Sequence, residues 1–347
     1  MHEVLRALIG RDRPVDQEMW RSFWDQLRDG ALRPGETVAL LTSLSTRMPD
    51  QDTLIGMLRS LDERRPAVAA RLDNTANIVG TGGGPATFNI STAAAFVAAV
   101  LGVRIVKTGS RAYASTCGSF DLLDRLGIGL TASYEQTDAM LERFGIAFPG
   151  HFVYPREVAA LARSIVPMDL RMIGGFINAV GPFLAAMPVS SQLVGVSDHS
   201  LLPALRQVAA TVADRRIWLC SNGLGIDELV SSVDNVIHTN DGTGEIRLRA
   251  DAPGPASGGI AELRLVSGRA EVVDHFLGVL SGSGPGLATR TVALNAAALA
   301  VASGLIGEWT EAVKAAEDVL RGGAARDLVH RLRARPVRRA ADGGGAR

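Results

Sequence analysis

Cysteine and net charge are what this chain has least of. Two cysteines, Cys117 and Cys220, stand in 347 residues, and 36 basic side chains balance 36 acidic ones. Two cysteines build no disulfide framework, which fits a reducing, cytoplasmic setting. A formal net charge of zero argues against general electrostatic attraction to nucleic acid or an anionic membrane. No uninterrupted apolar run reaches the roughly 20 residues of a membrane helix. The opening MHEVLRALIGRDRPVDQEMW carries acids and no long apolar core, so it does not read as a signal peptide. None of the six histidines falls in H-E-x-x-H, and no Ser-His-Asp or Cys-His arrangement is evident. At 47% apolar residues the chain is long enough for one large domain or two, with a substantial core.

The residues present divide by pattern. In DQEMWRSFWDQLRDG, Met19, Trp20, Phe23, Trp24 and Leu27 recur at helical spacing and Gly30 follows as a stop. RPGETVALLTSLSTRM repeats the theme, with Pro34 and Gly35 ahead of the helix. After Pro66, short apolar runs alternate with helical patterns: ANIVGTG, VRIVKTG, SQLVGVSD, RIWLCSNG. That alternation predicts an α/β fold on a mainly parallel sheet. The expected organisation is a helical domain over 1–70, an α/β domain over 71–335, and a disordered tail over 336–347. Residues 239–260 read as an excursion with one exposed strand, and no internal repeat is visible.

The stretch NIVGTGGGPATFNIST, Asn77 to Thr92, joins an apolar strand to an Ala-rich helix through a cluster of glycines. Glycine lets backbone approach a ligand, and free amides at a helix N-terminus attract anions. A dinucleotide loop needs G-x-G-x-x-G; Gly80 and Gly82 fit, but Pro85 holds the third place and the next strand ends in Lys107. A phosphate-binding G-x-x-x-x-G-K-[ST] loop lacks its glycine before Lys107. A purely structural turn is the remaining alternative. A second polar loop, KTGSRAYASTCGSFDLLDRLG, follows at once and adds Lys107 and Arg111. Two such loops on neighbouring strands suit a small, highly charged anion.

These motifs resemble the anthranilate phosphoribosyltransferase family, which shares its fold with pyrimidine nucleoside phosphorylases. GTGGGPATFNIST parallels the family's GTGGD…TFNIST, KTGSRAYASTCGSFDLLDRLG its KHGNR…SS…GS.D.LE.LG, GLGIDELVSS its GLDEL context, and VLSGSGPGLATRTVALNAAALAVASG its LSG…D.VLLNAA segment. The spaced matches run in order from about residue 35 to about 330, and these four motifs fall within them.

The resemblance implies a helical domain, with a helical contribution from about 165–190, beside a larger α/β domain, and a homodimer through the helices. It implies transfer from phosphoribosyl pyrophosphate with Mg2+. Gly80, Thr81, Gly82 and Gly83 would wrap the pyrophosphate; Asn89, Ser91 and Thr92 would cap the helix and donate to it; Lys107, Gly109, Ser115 and Ser119 would complete the cradle. Asp227 and Glu228, with Ser91, would hold the metal, since hard cations take oxygen ligands. The acceptor side departs from the family. Thr108 and Ser110 replace a histidine and an asparagine, Gly84 replaces an aspartate, and Pro167-Met168-Asp169 falls where PVR is expected. Tyr154 or His151 would stand for a further histidine, Arg171 or Arg163 for the arginine that meets a carboxylate, and Tyr113, Tyr154 and Met172 would line a flat pocket.

The expectation drawn from these departures is a small aromatic or heteroaromatic acceptor other than anthranilate. The alternatives are the ordinary anthranilate enzyme of tryptophan biosynthesis and a nucleic-acid-binding relative without activity. Zero net charge and the retained phosphate motifs argue against the last.

Overall fold

A computed structural model describes residues 1–65, 73–111, 117–168, 173–250 and 259–333. The chain opens with four helices, α1 (Glu3–Gly10), α2 (Gln17–Arg28), α3 (Glu36–Thr46) and α4 (Gln51–Asp62). Asp16 starts α2 by accepting from the Met19 amide at 2.8 Å, and Asp50 does the same for α4 through Thr53 at 2.9 Å. Gly30, in the left-handed region at φ 67°, follows the end of α2 as its spacing predicts. Met19, Trp20, Phe23, Trp24 and Leu27 are all buried. Trp20 and Trp24 stack at 5.3 Å, and their indole nitrogens donate to the Thr53 carbonyl and the Ser60 hydroxyl. Burying such rings contributes roughly 1.5–3 kcal/mol each. This face is therefore used up inside the chain.

Strands and helices then alternate: β1 (Thr75–Gly80), α5 (Ile90–Leu101), β2 (Arg104–Val106), α6 (Ser119–Leu126), α7 (Tyr134–Phe144), β3 (Ile146–Ala147), α8 (Arg156–Ser164), α9 (Gly175–Leu184), β4 (Ser191–Gly195), α10 (Leu202–Ala210), β5 (Arg216–Asn222), β6 (Asn235–Thr239) and β7 (Glu245–Leu248). Helices α11 (Arg269–Leu280), α12 (Gly286–Ala302), α13 (Trp309–Arg321) and α14 (Ala324–Arg333) complete the described chain. The sheet order is β3-β2-β1-β4-β5-β6-β7. The first five strands are parallel, while β6 and β7 run antiparallel. This is the expected α/β class. Strand β7, half-exposed at the edge, is the excursion read between 239 and 260.

Side chains alternate across the sheet with period two. Leu193, Trp218, Cys220 and Ile237 face a core built with α5, α6 and the last four helices. Val194, Val196, Ile217 and Leu219 face a second core, which they share with α1–α4 and with Phe176, Val180, Phe183 and Leu184 of α9. The opening helices and α9 thus cover one face of the sheet. Helix α12 lies under the other, with Ala293, Ala296, Ala297 and Ala300 fully buried; its small side chains let it approach α5 closely.

Candidate active site

From β1 the chain winds outward to β2 and β3, then returns to β4 on the opposite side and continues to β5. The connections therefore reverse direction between β1 and β4. Open parallel sheets bind ligands at such a switch point, beyond the carboxyl ends of the strands. Gly80, Gly195 and Cys220 sit in register there. A cavity of about 1000 Å³ opens above them, lined by both glycine loops and by α8 and α9.

The glycines first make room for Asp227. A Cβ on Gly80 would collide with the Asp227 carboxylate, and one on Gly195 with the Asp227 backbone carbonyl. Gly82 and Gly83, at φ 67° and 82°, turn the loop in the left-handed region open to glycine. The Gly82 amide donates to Asp227 Oδ2 at 2.8 Å, and the Thr81 amide to the Gly195 carbonyl at 2.8 Å. Two of the amides expected to wrap pyrophosphate are thus committed within the protein. The Gly83 amide has no protein acceptor among the described residues. Ser197, after β4, fastens the loop: its hydroxyl donates to the Gly82 carbonyl at 2.5 Å and its amide to Thr81 Oγ1 at 3.3 Å.

Glu228 lies beside Asp227, near the first turn of α5, where the helix terminus favours negative charge and the Ser91 amide and Thr87 side chain oppose the rise in its pKa. Glu228 Oε2 is nevertheless buried without a partner. Burial raises the pKa of Asp227, and burial together with the Asp227 charge raises that of Glu228 well above its ordinary value. Lys107 is buried, and its Nζ donates to the Ile78 and Thr108 carbonyls at 2.9 and 3.2 Å. Desolvation lowers its pKa to about 8, opposed by the two carboxylates. The Lys107 cation thus fails to neutralise the pair, and an orphaned carboxylate oxygen remains. That donor set fits Mg2+, which binds through one or two carboxylates and completes its shell with phosphate and water. Among the described residues no cluster of three or more His, Cys, Asp or Glu is placed to hold a metal alone.

The second loop lines the cavity with Lys107, Thr108, Gly109, Ser110, Arg111, Cys117, Gly118 and Ser119. A Cβ on Gly109 would collide with Ser119 Oγ and crowd Ser119 Cβ and the Phe120 ring. Arg111 pairs with Asp121 and Asp124 at 3.1 and 2.9 Å. The Cys117 thiol is pushed up by burial, as suits a neutral filler. Two expectations need correction. Asn89 occupies the N-cap of α5, but its side chain makes no capping bond; its Nδ2 reaches the Cys117 carbonyl at 3.4 Å and ties the two loops together. Ser91 lines the cavity, but Thr92 does not; about 100° further round the helix, it is fully buried with its hydroxyl unpartnered.

At the other end, Tyr154, Arg156, Val158, Ala159, Ala162 and Arg163 form the wall from α8, with Ile177, Asn178 and Pro182 of α9 opposite and Ser133 to Glu135 at the start of α7. Arg156 and Arg163 are exposed to the cavity and have no ion pair among the described residues. Asn178 Nδ2 is buried and unpartnered. Pro167 and Met168 do not line the cavity, so their match to PVR does not mark its cation; Arg163, one turn earlier, does. His151 and Ser110 are at the rim, both exposed. Tyr113, Ser115, Asp169, Arg171 and Met172, with the expected tail 336–347, lie outside the described residues.

Sequence reading missed the residues that brace the site. Asn295 on α12 accepts from the Leu229 amide at 3.1 Å and donates to the Leu229 carbonyl at 2.7 Å. Asn222 donates to the Ile226 and Glu228 carbonyls at 3.0 and 2.8 Å. A lone asparagine among the alanines of VALNAAALA was the available signal.

Two glycine loops at a switch point and a buried carboxylate pair make a site suited to a phosphorylated ligand and a divalent cation. Residues 72–326 match the Glycosyl transferase family, a/b domain. An anthranilate phosphoribosyltransferase of Myxococcus xanthus is 30% identical over 338 residues, covering 96% of this chain and 98% of its own. Anthranilate phosphoribosyltransferase 2 of Streptomyces coelicolor is 31% identical, covering 87% and 90%. The crystal structure of the Thermus thermophilus enzyme superposes with a TM-score of 0.78 at 28% identity, covering 96% and 99%. The yeast enzyme, in complex with PRPP and Mg, shares the fold with a TM-score of 0.72 at 20% identity, covering 91% of each chain. The chain belongs to the anthranilate phosphoribosyltransferase family. It is a phosphoribosyltransferase, and no described helix is long and apolar enough to cross a membrane.

Proposed function

We propose that this enzyme transfers the 5-phosphoribosyl group from phosphoribosyl pyrophosphate to anthranilate, with Mg2+ as cofactor. The observation that carries the donor half is the buried Asp227–Glu228 pair, which lines the cavity together with the two glycine loops and keeps one carboxylate oxygen without a partner. The relatives' own activity supports anthranilate over the different acceptor expected from Thr108 and Ser110. Arg163, one of the two arginines the sequence offers for a carboxylate, and the unpartnered Asn178 amide support the same acceptor, because both supply donors at that end of the cavity.

Breaking the bond between the anomeric carbon and pyrophosphate develops positive charge on ribose and negative charge on the leaving group. When bound, Mg2+ would neutralise the pyrophosphate oxygens. Asp227, Glu228 and Ser91 would hold it. The Gly83 amide, Asn89 and Ser119 would orient the phosphates, while Thr81 and Gly82 keep the loop closed on Asp227. The apolar wall of Val158, Ala159 and Ala162 would hold the acceptor ring, with Arg163 and Asn178 on its carboxylate and its amine toward the anomeric carbon. Proximity then carries much of the rate. A homodimer through surfaces of the opening helices other than the buried Trp20–Trp24 face belongs to the same reading.

Product formation from anthranilate and phosphoribosyl pyrophosphate, followed by chromatography, tests it. The wild type is expected to need Mg2+, and Asp227→Asn/Glu228→Gln to lose at least two orders of magnitude in kcat/KM, the scale of removing one electrostatic contact to a leaving group. Product from other aromatic amines but none from anthranilate would overturn the acceptor assignment.

A further inference from the structure

Strand β4 carries fastenings for both halves of the site. At its carboxyl end the Gly195 carbonyl accepts from the Thr81 amide at 2.8 Å, and Ser197 holds the same glycine loop through Gly82 and Thr81. Three residues earlier, roughly 10 Å away along the strand, Gln192 is fully buried. By the period of two it shares the face of Val194 and Val196, toward the opening helices and α9. Those valines fill that face with apolar side chains, so burial alone does not call for an amide. Arg215, just ahead of β5, donates from Nη1 to Gln192 Oε1 at 2.9 Å. A guanidinium has no acceptor, so Gln192 must present its oxygen there and its nitrogen on the other side. That nitrogen donates to the Pro182 carbonyl at 2.8 Å.

Pro182 belongs to the last turn of α9, whose final four carbonyls have no partner inside the helix. The next carbonyl, that of Phe183, accepts from the Arg65 guanidinium just beyond α4. At the opposite end of α9, Ser45 of α3 accepts from the Phe176 amide at 3.3 Å and donates to the Ile173 carbonyl at 2.7 Å. Helix α9 is thus pinned at both ends, and Ile177, Gly181 and Pro182 on it line the cavity.

We propose that Gln192 is a positioning residue: by holding Pro182 on the strand that also holds the first glycine loop, it fixes the spacing between the α9 wall and the phosphoribosyl donor. The inference rests on the phosphoribosyltransferase reading above. Gln192 does not itself line the cavity. Its effect therefore falls on the alignment of the two bound substrates, and so on kcat, rather than on the grip on the donor.

Two substitutions test this. Gln192→Glu separates the two bonds, since its carboxylate still accepts from Arg215 but has no proton for the Pro182 carbonyl. Gln192→Met removes both. Each is expected to lower kcat about tenfold to a hundredfold, the scale of a misplacement of about 1 Å. Binding of phosphoribosyl pyrophosphate with Mg2+, by calorimetry, should stay at the wild-type value. Hydrogen exchange read by mass spectrometry should quicken over 175–184 and stay unchanged over 77–84. Leu332→Ala opens a cavity in the core on the other side of the sheet; it lowers Tm without that kcat loss and controls for stability alone. One folded variant of Gln192 suffices. Wild-type kcat in it, or wild-type exchange over 175–184, would overturn the proposal, as would the same kcat loss in Leu332→Ala at equal Tm. Turnover of another aromatic amine in place of anthranilate would overturn the proposed acceptor, and the kcat ratio on that amine would then decide the role of Gln192.

Discussion

Placing aspartate at position 84, as the family pattern has it, is expected to damage this enzyme. Read in sequence, Gly84 is a missing acid beside the pyrophosphate. In the structure a Cβ at this position would collide with the Gly225 carbonyl oxygen and approach Ser197 Cβ to 2.9 Å. Neither obstacle is the free end of a flexible side chain: one is backbone, and Ser197 is fixed by its bonds to Gly82 and Thr81. The loop must move instead. Overpacking of this kind costs about 1–3 kcal/mol, which corresponds to about 2–12 °C in Tm at the 2–4 °C per kcal/mol of large domains. The movement reaches Gly82, whose amide holds Asp227, so the metal pair loosens as well. Gly84→Ala and Gly84→Asp are both expected to melt earlier and to bind phosphoribosyl pyrophosphate with Mg2+ at least tenfold more weakly, by scanning fluorimetry and calorimetry. Unchanged Tm with equal or tighter donor binding in Gly84→Asp would refute the packing argument.

Two further outcomes follow from the carboxylate pair and its brace. Between its ordinary 4.5 and its raised folded pKa, Glu228 holds a proton in the folded state that the unfolded chain has lost. Without metal, stability should fall as pH rises through that window, less so in Glu228→Gln, and Mg2+ should reverse the slope because it binds the deprotonated pair. Lys107 acts oppositely: between about 8 and its ordinary 10.5 only the unfolded chain keeps the proton, so stability should recover there. Denaturant titrations with and without Mg2+ measure both slopes. Asn295→Ala removes the bonds to both backbone groups of Leu229. Leaving buried groups unpaired should cost about 2–4 kcal/mol and weaken Mg2+-dependent donor binding, both measurable on the purified variant.

The amphipathic period of α2, the glycine stop after it and the apolar runs that became β1, β2, β4 and β5 are local properties, readable from side-chain spacing. The two loops were readable too, since glycine density and helix-start chemistry are written in adjacent residues. Local sequence could not show that Thr81 and Gly82 spend their amides on Gly195 and Asp227, strands and loops away. Nor could it show that Thr92 turns into the core while Ser91 faces the cavity. Sequence alone determined the alternating α/β order and the chemistry available at each loop, because both follow from neighbouring residues. Only the tertiary structure decided which arginine lines the acceptor end and why position 84 must be glycine. Each depends on atoms tens to hundreds of residues apart, brought together where the sheet connections reverse between β1 and β4.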